Sequence, residues 1–202
     1  MVPNITLDAR DLACRRGERV LFSGLSFSAG PGLTEIVGPN GAGKTSLLRI
    51  LSGVMASAAG RVQMSRGEVL LEAGSYAAVL HYMAHADALK PQMTARENLA
   101  FAAAWFGAGM SPEAALERLR LSRQSHLPVA YLSAGQRRRL ALARCYMLAR
   151  PLWLLDEPVA SLDAAGRALV AELVAGHVMG GGTVVAATHD ALSPDARRVE
   201  IA

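Results

Sequence analysis

The fold is decided by Gly38-Pro39-Asn40-Gly41-Ala42-Gly43-Lys44-Thr45, which fits the pattern G-x4-G-K-S/T. Its glycines let the backbone curl so that successive N–H groups point inward at phosphate oxygens. A helix is predicted to begin at Lys44, and its positive dipole end adds to the attraction for anions. The pattern therefore predicts a phosphate-binding loop in which Lys44 reaches the β- and γ-phosphates and the Thr45 hydroxyl ligates Mg²⁺.

The segments around this loop predict an α/β protein. Helices are expected after Thr94, after Ser111, from Ser133 and over Ala164–Val178. The helix that follows the loop is expected at Lys44–Ser52. Strands are expected at Ile5–Arg10, Arg19–Ser28, Leu33–Val37, Arg61–Met64, Glu68–Leu71, Ala78–Met83, Leu152–Leu155 and Thr183–Ala187. This order indicates an α/β core interrupted by a helical insert at about residues 86–144.

Two acids follow a second apolar segment. Leu152–Leu155 is an unbroken apolar run, typical of a strand covered on both faces, and Asp156 and Glu157 come directly after it. Acids at the carboxyl end of a buried parallel strand lie on the ligand-binding edge of the sheet. We expect Asp156 to hold the Mg²⁺ shell through water. Glu157 points in another direction and is the candidate general base for an attacking water.

A third motif is Leu132-Ser133-Ala134-Gly135-Gln136. A serine and a glycine at a helix start can bind a phosphate through the hydroxyl, the backbone N–H groups and the helix dipole. The alternative is a plain N-cap in which Ser133 only closes its own helix. Taken alone, the motif leaves both interpretations open.

Composition and length indicate the number of domains and the cellular environment of the protein, but they do not indicate its function. The chain has 202 residues, enough for one domain with a core that needs no disulfide. No apolar run reaches the ~18 residues that cross a bilayer. Met1–Thr6 shows no secretion signal, so we expect the protein to stay where it is made. Cys14 and Cys145 are far apart, in no metal-ligand spacing, and are expected to be buried reduced thiols.

The charge is mildly positive. A net charge of +4 is compatible with an anionic ligand, nucleic acid or an acidic membrane surface, and it decides between none of them. Arg137-Arg138-Arg139 lies in a predicted helix, where a solvated face is the expected location. His81, His126 and His177 belong to no recognisable group of functional residues, and no role is predicted for them.

In chain order, these motifs resemble those of the ABC transporter ATPase family, over nearly the whole chain. Ser161-Leu162-Asp163 is similar to the D-loop of that family, and His189 to its switch histidine. The resemblance implies a P-loop NTPase (RecA-like) core with an N-terminal antiparallel β subdomain and an inserted helical subdomain. Residues 1–202 would form a single domain, with its core at 1–85 and 145–202.

The resemblance also implies the chemistry. Glu157 and His189 would be catalytic, and ATP and Mg²⁺ would be the cofactors. Leu132–Gln136 would be the signature motif of the family. Two like subunits would enclose two ATP molecules, with the signature motif of each facing the loop of the other subunit. Nucleotide contacts are implied for Gly38, Pro39, Asn40, Gly41, Ala42, Gly43, Lys44, Thr45 and Ser46, and across the dimer for Ser133, Gly135 and Gln136.

Two positions depart from the usual family pattern. Alignment through Ser26-Phe27 places Arg16 where the family has an aromatic residue stacked on adenine. An arginine plane can also stack on a base, so ATP binding is expected to survive while adenine selectivity stays open. His85 stands where the family has a glutamine that touches Mg²⁺ and senses the membrane partner. His85 either takes over one of these two roles, less well than glutamine, or is an ordinary loop histidine.

Within the family, the chain is similar to the ATPase subunits of the haem exporter of cytochrome c maturation. The similar stretches are Leu21–Phe27, Ser46–Arg49 and Leu132–Pro158, with alanine inside the signature motif and histidine at position 85. This implies a peripheral subunit on the cytoplasmic face of the bacterial inner membrane, docked on integral membrane subunits. ATP hydrolysis would drive release of a haem-loaded chaperone, with no nucleic acid partner and no direct haem binding.

Three alternatives stay open or are disfavoured on sequence grounds. An ATPase that drives an exporter of another cargo would carry the same motifs. A DNA-organising ATPase would interrupt the cassette with a long heptad coiled coil, and the insert here is far too short for one. Arg16 and His85 would be compatible with a regulator that binds ATP without turnover. The presence of Lys44, Asp156, Glu157 and His189 opposes that alternative.

Overall fold

The computed structural model describes residues 4–201. Residues 1–3, part of the segment considered above for a secretion signal, and Ala202 lie outside the described residues. The strands are β1 (Ile5–Arg16), β2 (Arg19–Ala29), β3 (Gly32–Val37), β4 (Ala59–Arg66), β5 (Val69–Leu70), β6 (Leu80–Met83), β7 (Leu152–Asp156), β8 (Thr183–Ala187) and β9 (Arg197–Glu200). The α-helices are α1 (Lys44–Leu51), α2 (Tyr76–Val79), α3 (Ala95–Phe106), α4 (Pro112–Arg118), α5 (Ala134–Leu148) and α6 (Ala164–Met179).

An antiparallel sheet holds the N-terminal strands in the order β2-β1-β4-β5. β1 is longer than the sequence predicted, because it continues past Arg10 through a break in register. At the break, Asp11 adopts a left-handed φ of 50°, and its N–H donates to the Ser26 hydroxyl oxygen at 2.8 Å. The polar Arg10-Asp11 pair marks an irregularity inside the strand rather than its end.

A parallel sheet forms the centre of the molecule, in the order β6-β7-β8-β3-β9. Every residue of β7 and β8 is buried, as expected for parallel strands covered on both faces. Alternate residues along β7 serve two different cores. Trp153 and Leu155 pack with the helices α3 to α6, whereas Leu152 and Leu154 pack with α1 and the antiparallel sheet.

Two edges of the parallel sheet differ from expectation. The segment predicted as strand Ala78–Met83 is helical up to Val79, and only Leu80–Met83 pairs with β7. The Ala77-Ala78 pair favours a helix, which explains the short α2. β9 was not predicted, because its charged sequence Arg197-Arg198-Val199-Glu200 has an exposed edge-strand pattern, and it pairs with β3 alone.

The helices between β6 and β7 begin where capping chemistry predicted. Thr94 accepts a hydrogen bond from the Glu97 N–H, and the Glu97 carboxylate accepts one from the Thr94 N–H, which completes a capping box. Pro112 occupies the first turn of α4. The antiparallel sheet, the parallel core and these helices confirm the predicted fold class. Among residues 4–201, no helix is long and apolar enough to span a bilayer.

Candidate phosphate-binding and catalytic site

The loop between β3 and α1 needs its glycines. Gly41 and Gly43 have φ angles of 83° and 108°, in the left-handed region that side chains with a Cβ rarely adopt. Gly38 faces a different constraint, since a Cβ there would clash with the carbonyl oxygen of Ile201 just after β9. The backbone of this loop can therefore curl around a ligand only with the residue types that the sequence has.

The Lys44 side chain folds back onto the loop. It is 8% exposed, and its Nζ donates to the carbonyl oxygens of Gly38 at 2.7 Å and Pro39 at 3.2 Å. The same Nζ lies 3.3 Å from Nε2 of His189. These contacts hold a positive charge inside the concave loop, where it can meet a phosphate.

Thr45 and Asp156 form the second part of the site. The Thr45 hydroxyl donates to Oδ1 of Asp156 at 3.1 Å, and Asp156 is 1% exposed. Oδ2 of Asp156 has no hydrogen-bond partner within the described residues. A buried carboxylate oxygen in this state is destabilising unless a ligand satisfies it.

The donor set fits a magnesium ion. Mg²⁺ is commonly held by one or two protein oxygens, with phosphate and water supplying the rest. Thr45 offers a hydroxyl and Asp156 an unpartnered carboxylate oxygen at the carboxyl end of β7. In the described part of the chain, no group of three or more His, Cys, Asp or Glu could hold a metal by itself.

Glu157 sits in a strained turn directly after β7. Its φ is 49°, which is unfavourable for a residue with a side chain by about 1–2 kcal/mol. Its N–H donates to the Ala187 carbonyl oxygen at 2.8 Å, at the end of β8. Its Oε1 lies 3.5 Å from Nε2 of His189, whose side chain is half exposed. The turn therefore brings a carboxylate and an imidazole together beside Lys44.

Lys44, Thr45, Glu157 and His189 line one cavity of about 600 Å³, a size that suits a nucleotide. Its lining contains Arg16 and His85, the two positions at which the chain departs from the family pattern. The full lining is Arg16, Arg19, Leu21, Asn40, Gly41, Gly43, Lys44, Thr45, Ser46, His85, Glu157, Ala160 and His189. Gly38, Pro39 and Ala42 belong to the loop but not to this lining, and Asp156 is not part of the lining either.

The signature motif does not line this cavity. The Ser133 hydroxyl oxygen accepts from the Gln136 N–H at 3.2 Å, and the Gln136 side chain accepts from the Ser133 N–H at 2.8 Å. Within one chain, these residues form a reciprocal N-cap of α5. A Cβ at Gly135 would lie 3.0 Å from the Ser161 carbonyl oxygen, so the motif packs closely on the Ser161–Asp163 segment.

One expectation about the arginine run is wrong. Arg138 was expected on a solvated helix face, but it is 4% exposed. Its guanidinium donates to the carbonyl oxygens of Asp156 and Glu157. Arg137 and Arg139 are intermediate in exposure. Because three consecutive arginines point in three directions around a helix, the sequence did not reveal that the middle one faces the core.

Two of the remaining histidines, His81 and His177, and both cysteines lie away from this cavity, whereas His126 is exposed. Burial, with the nearby charges of Arg144 and Arg150, lowers the pKa of His81 to about 3. His177 stacks on Trp153 with ring centroids 3.9 Å apart, and burial lowers its pKa. Burial raises the pKa of the Cys145 thiol to about 12, and both Cys145 and Cys14 are free and buried, as predicted.

Comparison with known families and curated proteins agrees with this geometry. The ABC transporter family profile matches residues 22–160. The chain is 48% identical over 197 residues to the cytochrome c biogenesis ATP-binding export protein CcmA of Nitrobacter winogradskyi, covering 96% of this chain and 97% of that protein. The CcmA proteins of Rhodopseudomonas palustris (strain BisB5) and Brucella abortus are 46% and 43% identical over 96% and 94% of this chain, and over 97% and 87% of theirs.

Solved structures share the fold. The ATP-binding subunit of an ABC transporter superposes with a TM-score of 0.78 at 24% identity, covering 91% of this chain and 79% of that one. A dimeric ATP-binding cassette in a post-hydrolysis state, bound to ADP and Pi, superposes with a TM-score of 0.77 at 22% identity. That match covers 91% of this chain and 88% of the other.

Proposed function

We propose that this chain, which belongs to the ABC transporter family and within it to the cytochrome c biogenesis ATP-binding export proteins, hydrolyses MgATP. The hydrolysis would power the release of a haem-loaded chaperone in cytochrome c biogenesis. ATP binding and hydrolysis are the activity of this family. The observation that carries the assignment is the grouping of Lys44, Thr45, Asp156, Glu157 and His189 around one glycine loop.

The roles of these residues follow from their positions. The N–H groups of the loop and the N-terminus of α1 face the phosphates. When ATP binds, Lys44 exchanges its hydrogen bonds to the two loop carbonyl oxygens for contacts with the β- and γ-phosphates. Thr45 and Asp156 would hold Mg²⁺, which when bound neutralises charge on the β- and γ-phosphate oxygens.

Glu157 acts on the attacking water. The water oxygen forms a bond to the γ-phosphorus while the bond from that phosphorus to the β–γ bridging oxygen breaks, and the water proton passes to Glu157. ADP and inorganic phosphate are the products. His189, 3.5 Å from Glu157 and 3.3 Å from Lys44, contacts the γ-phosphate and orients the water.

The signature motif acts across a dimer. Within one chain, Ser133, Gly135 and Gln136 lie outside the cavity that the loop lines, which supports a dimer in which a second like subunit brings its motif to the ATP. The Ser133 hydroxyl and the N-terminus of α5 suit the γ-phosphate of the ATP bound by the partner subunit. A homodimer, or a dimer with a similar chain, would thus enclose two ATP molecules.

Arg16 and His85 line the same cavity as Lys44 and Thr45. Arg16 would stack its guanidinium plane on adenine. His85 and Glu157 both line this cavity, and His85 would contact the Mg²⁺ shell.

An exposed aromatic patch supports an integral membrane partner. Phe101, Trp105 and Phe106 on α3, here called the α3 patch, are 41%, 72% and 58% exposed. Grouped exposed aromatic residues on a folded domain mark interaction sites. We assign the α3 patch to the export protein's integral membrane subunits, which would hold this subunit peripherally on the cytoplasmic face of the bacterial inner membrane. No contact with nucleic acid and no direct contact with haem is proposed.

The biochemical test uses Glu157→Gln with Glu117→Gln, an exposed carboxylate on α4, as the matched control. Glu157→Gln should bind MgATP with unchanged affinity and lose turnover by roughly a hundredfold or more, because only proton acceptance is lost. Glu117→Gln should behave as wild type. Hydrolysis by Glu157→Gln near the wild-type rate would show that another group is the base.

The cellular test addresses the cargo. The gene is deleted and restored either as wild type or as Glu157→Gln, and membranes are stained for covalently bound haem in c-type cytochromes. Loss that only the wild type reverses supports the role in cytochrome c biogenesis. Unchanged c-type cytochromes would overturn the haem assignment and favour an ATPase that drives an exporter of another cargo.

A further inference from the structure

Arg138 is a buried charged side chain, 4% exposed, that the proposed mechanism does not use. It lies in the second turn of α5, five residues after Ser133 of the signature motif. Five neighbouring residues accept hydrogen bonds from its guanidinium: Ala84, His85, Asp87, Asp156 and Glu157. All but Asp87 accept through backbone carbonyl oxygens.

Its charge is balanced by a single carboxylate. Nη1 of Arg138 lies 2.7 Å from Oδ1 of Asp87, and the two side chains are 5% and 21% exposed. A buried guanidinium is retained only when its donors are satisfied and its charge is paired. Arg138 meets both conditions, so its position is tightly determined.

The bonds to Glu157 act on a strained turn. The left-handed backbone of Glu157 is held on its N–H side by the Ala187 carbonyl oxygen at 2.8 Å. On the other side, the Glu157 carbonyl oxygen accepts from Arg138 Nη2 at 2.8 Å and from Nε at 3.2 Å. Unfavourable backbone conformations persist only where neighbours hold them. Arg138 donates two hydrogen bonds to this carbonyl oxygen, and the Ala160 N–H donates another at 3.1 Å.

The other bonds reach the loop after β6. Arg138 Nη1 donates to the carbonyl oxygens of Ala84 at 3.1 Å and His85 at 3.4 Å. One turn and a half further along α5, Arg144 donates to the carbonyl oxygen of Ala88 at 3.0 Å. α5 therefore holds the segment that carries His85 as well as the turn that carries Glu157.

We propose that Arg138 is a positioning residue, which orients the Glu157 carboxylate for water activation and links it to the His85 segment. α5 begins at the signature motif, which faces the ATP bound to the partner subunit. The link through Arg138 therefore makes α5 a rigid connection between that ATP and Glu157 of the subunit to which α5 belongs. This inference rests on the proposed role of Glu157 as the base.

Only arginine fits this role. The planar guanidinium reaches carbonyl oxygens on two sides of α5 at once, through donors that point in fixed directions. A lysine has a single ammonium that can reach one side only. Arg138→Lys keeps the charge that pairs with Asp87 and removes the bridge.

The test compares Arg138→Lys with Arg139→Lys in the purified full chain. Arg139 is the matched control, because it also donates to two backbone carbonyl oxygens, those of Leu119 and Arg120, but outside the site. MgATP affinity, the amount of bound ATP at saturation and the turnover per bound ATP are measured for each. Turnover is divided by bound ATP so that partial unfolding does not count as lost catalysis.

We expect Arg138→Lys to lower turnover per bound ATP by roughly ten- to a hundredfold, since small displacements of a reacting group have effects of that size. Its MgATP affinity should stay within about twofold of wild type, because Lys44 and Thr45 are untouched. Arg139→Lys should keep both values. Wild-type turnover in Arg138→Lys, or equal losses in both variants, would overturn the proposal.

A second variant keeps the proposal testable if Arg138→Lys does not fold. Asp87→Asn leaves Arg138 in place and removes the charge that anchors it, so turnover per bound ATP should fall severalfold with affinity kept. An unchanged turnover would overturn the proposal. Glu157→Gln is assayed alongside: if it hydrolyses ATP normally, the assignment of the base fails, whereas a normal Arg138→Lys beside an inactive Glu157→Gln refutes only the positioning role.

Discussion

Acidification from pH 7.5 to pH 5.5 should destabilise this protein through His81. The side chain is 8% exposed on β6, and its Nε2 has no hydrogen-bond partner among the described residues. Burial, with Arg144 and Arg150 nearby, lowers its pKa from 6.5 to about 3 in the folded state. The folded protein therefore keeps His81 neutral over a range in which the unfolded chain binds a proton.

The sign follows from proton binding. Between the folded pKa of about 3 and the unfolded pKa of 6.5, the unfolded state binds more protons, so stability rises with pH. The full stability of the fold with a neutral His81 is present above pH 6.5, and part of it is lost as the pH falls below that value. One unit below the unfolded pKa, the loss is about 1.4 kcal/mol. In a domain of this size, that lowers Tm by roughly 3–6 °C.

The assay is chemical unfolding of wild type and His81→Gln at both pH values. The glutamine cannot titrate, so the difference in unfolding free energy between pH 7.5 and 5.5 should shrink by about 1.4 kcal/mol. Carboxylates titrate in both proteins and cancel in the comparison. His126→Gln, at an exposed histidine, serves as the control and should keep the wild-type difference. An identical pH dependence in wild type and His81→Gln would refute the reasoning.

Two further predictions concern the loop between β3 and α1. Lys44→Ala should weaken MgATP binding by roughly a hundredfold, since the charge facing the β- and γ-phosphates is lost; binding is measured by titration with a fluorescent ATP analogue, and normal affinity would contradict the loop assignment. Gly38→Ala should lower the unfolding free energy by about 1–3 kcal/mol, because its Cβ would meet the Ile201 carbonyl oxygen. Denaturant unfolding measures the second effect, with Gly74→Ala, where a Cβ meets nothing within 4 Å, as the control; equal stability of the two variants would show that the loop yields without strain.

The features that the sequence predicted well depend on short-range chemistry. A glycine loop, a capping box and a proline in a first turn act within a few residues, so the starts of α1, α3, α4 and α5 could be located from their own sequences. The buried run before Asp156 likewise needs no knowledge of the rest of the fold. The same locality explains why Thr45, Asp156 and Glu157 were found as candidates.

The features that were missed depend on distant partners. β9 is a strand because β3 offers an unpaired edge, and nothing in Arg197–Glu200 itself indicates this. Arg138 is buried because carbonyl oxygens from β7 and from the loop after β6 converge on one point of α5. Charge predicts exposure on average, and it fails where a fold supplies enough acceptors to replace water.

At Asp156, the requirements of folding stability and of activity oppose each other. A carboxylate that is 1% exposed and has one oxygen unpartnered makes the fold less stable than a neutral or apolar residue at that position would. Selection for heat resistance alone would remove it, and a designer who ranks substitutions by stability would make the same choice. Stabilised versions of this protein should therefore be sought at positions far from the end of β7, because a gain in Tm at Asp156 would come with the loss of the metal-bound nucleotide.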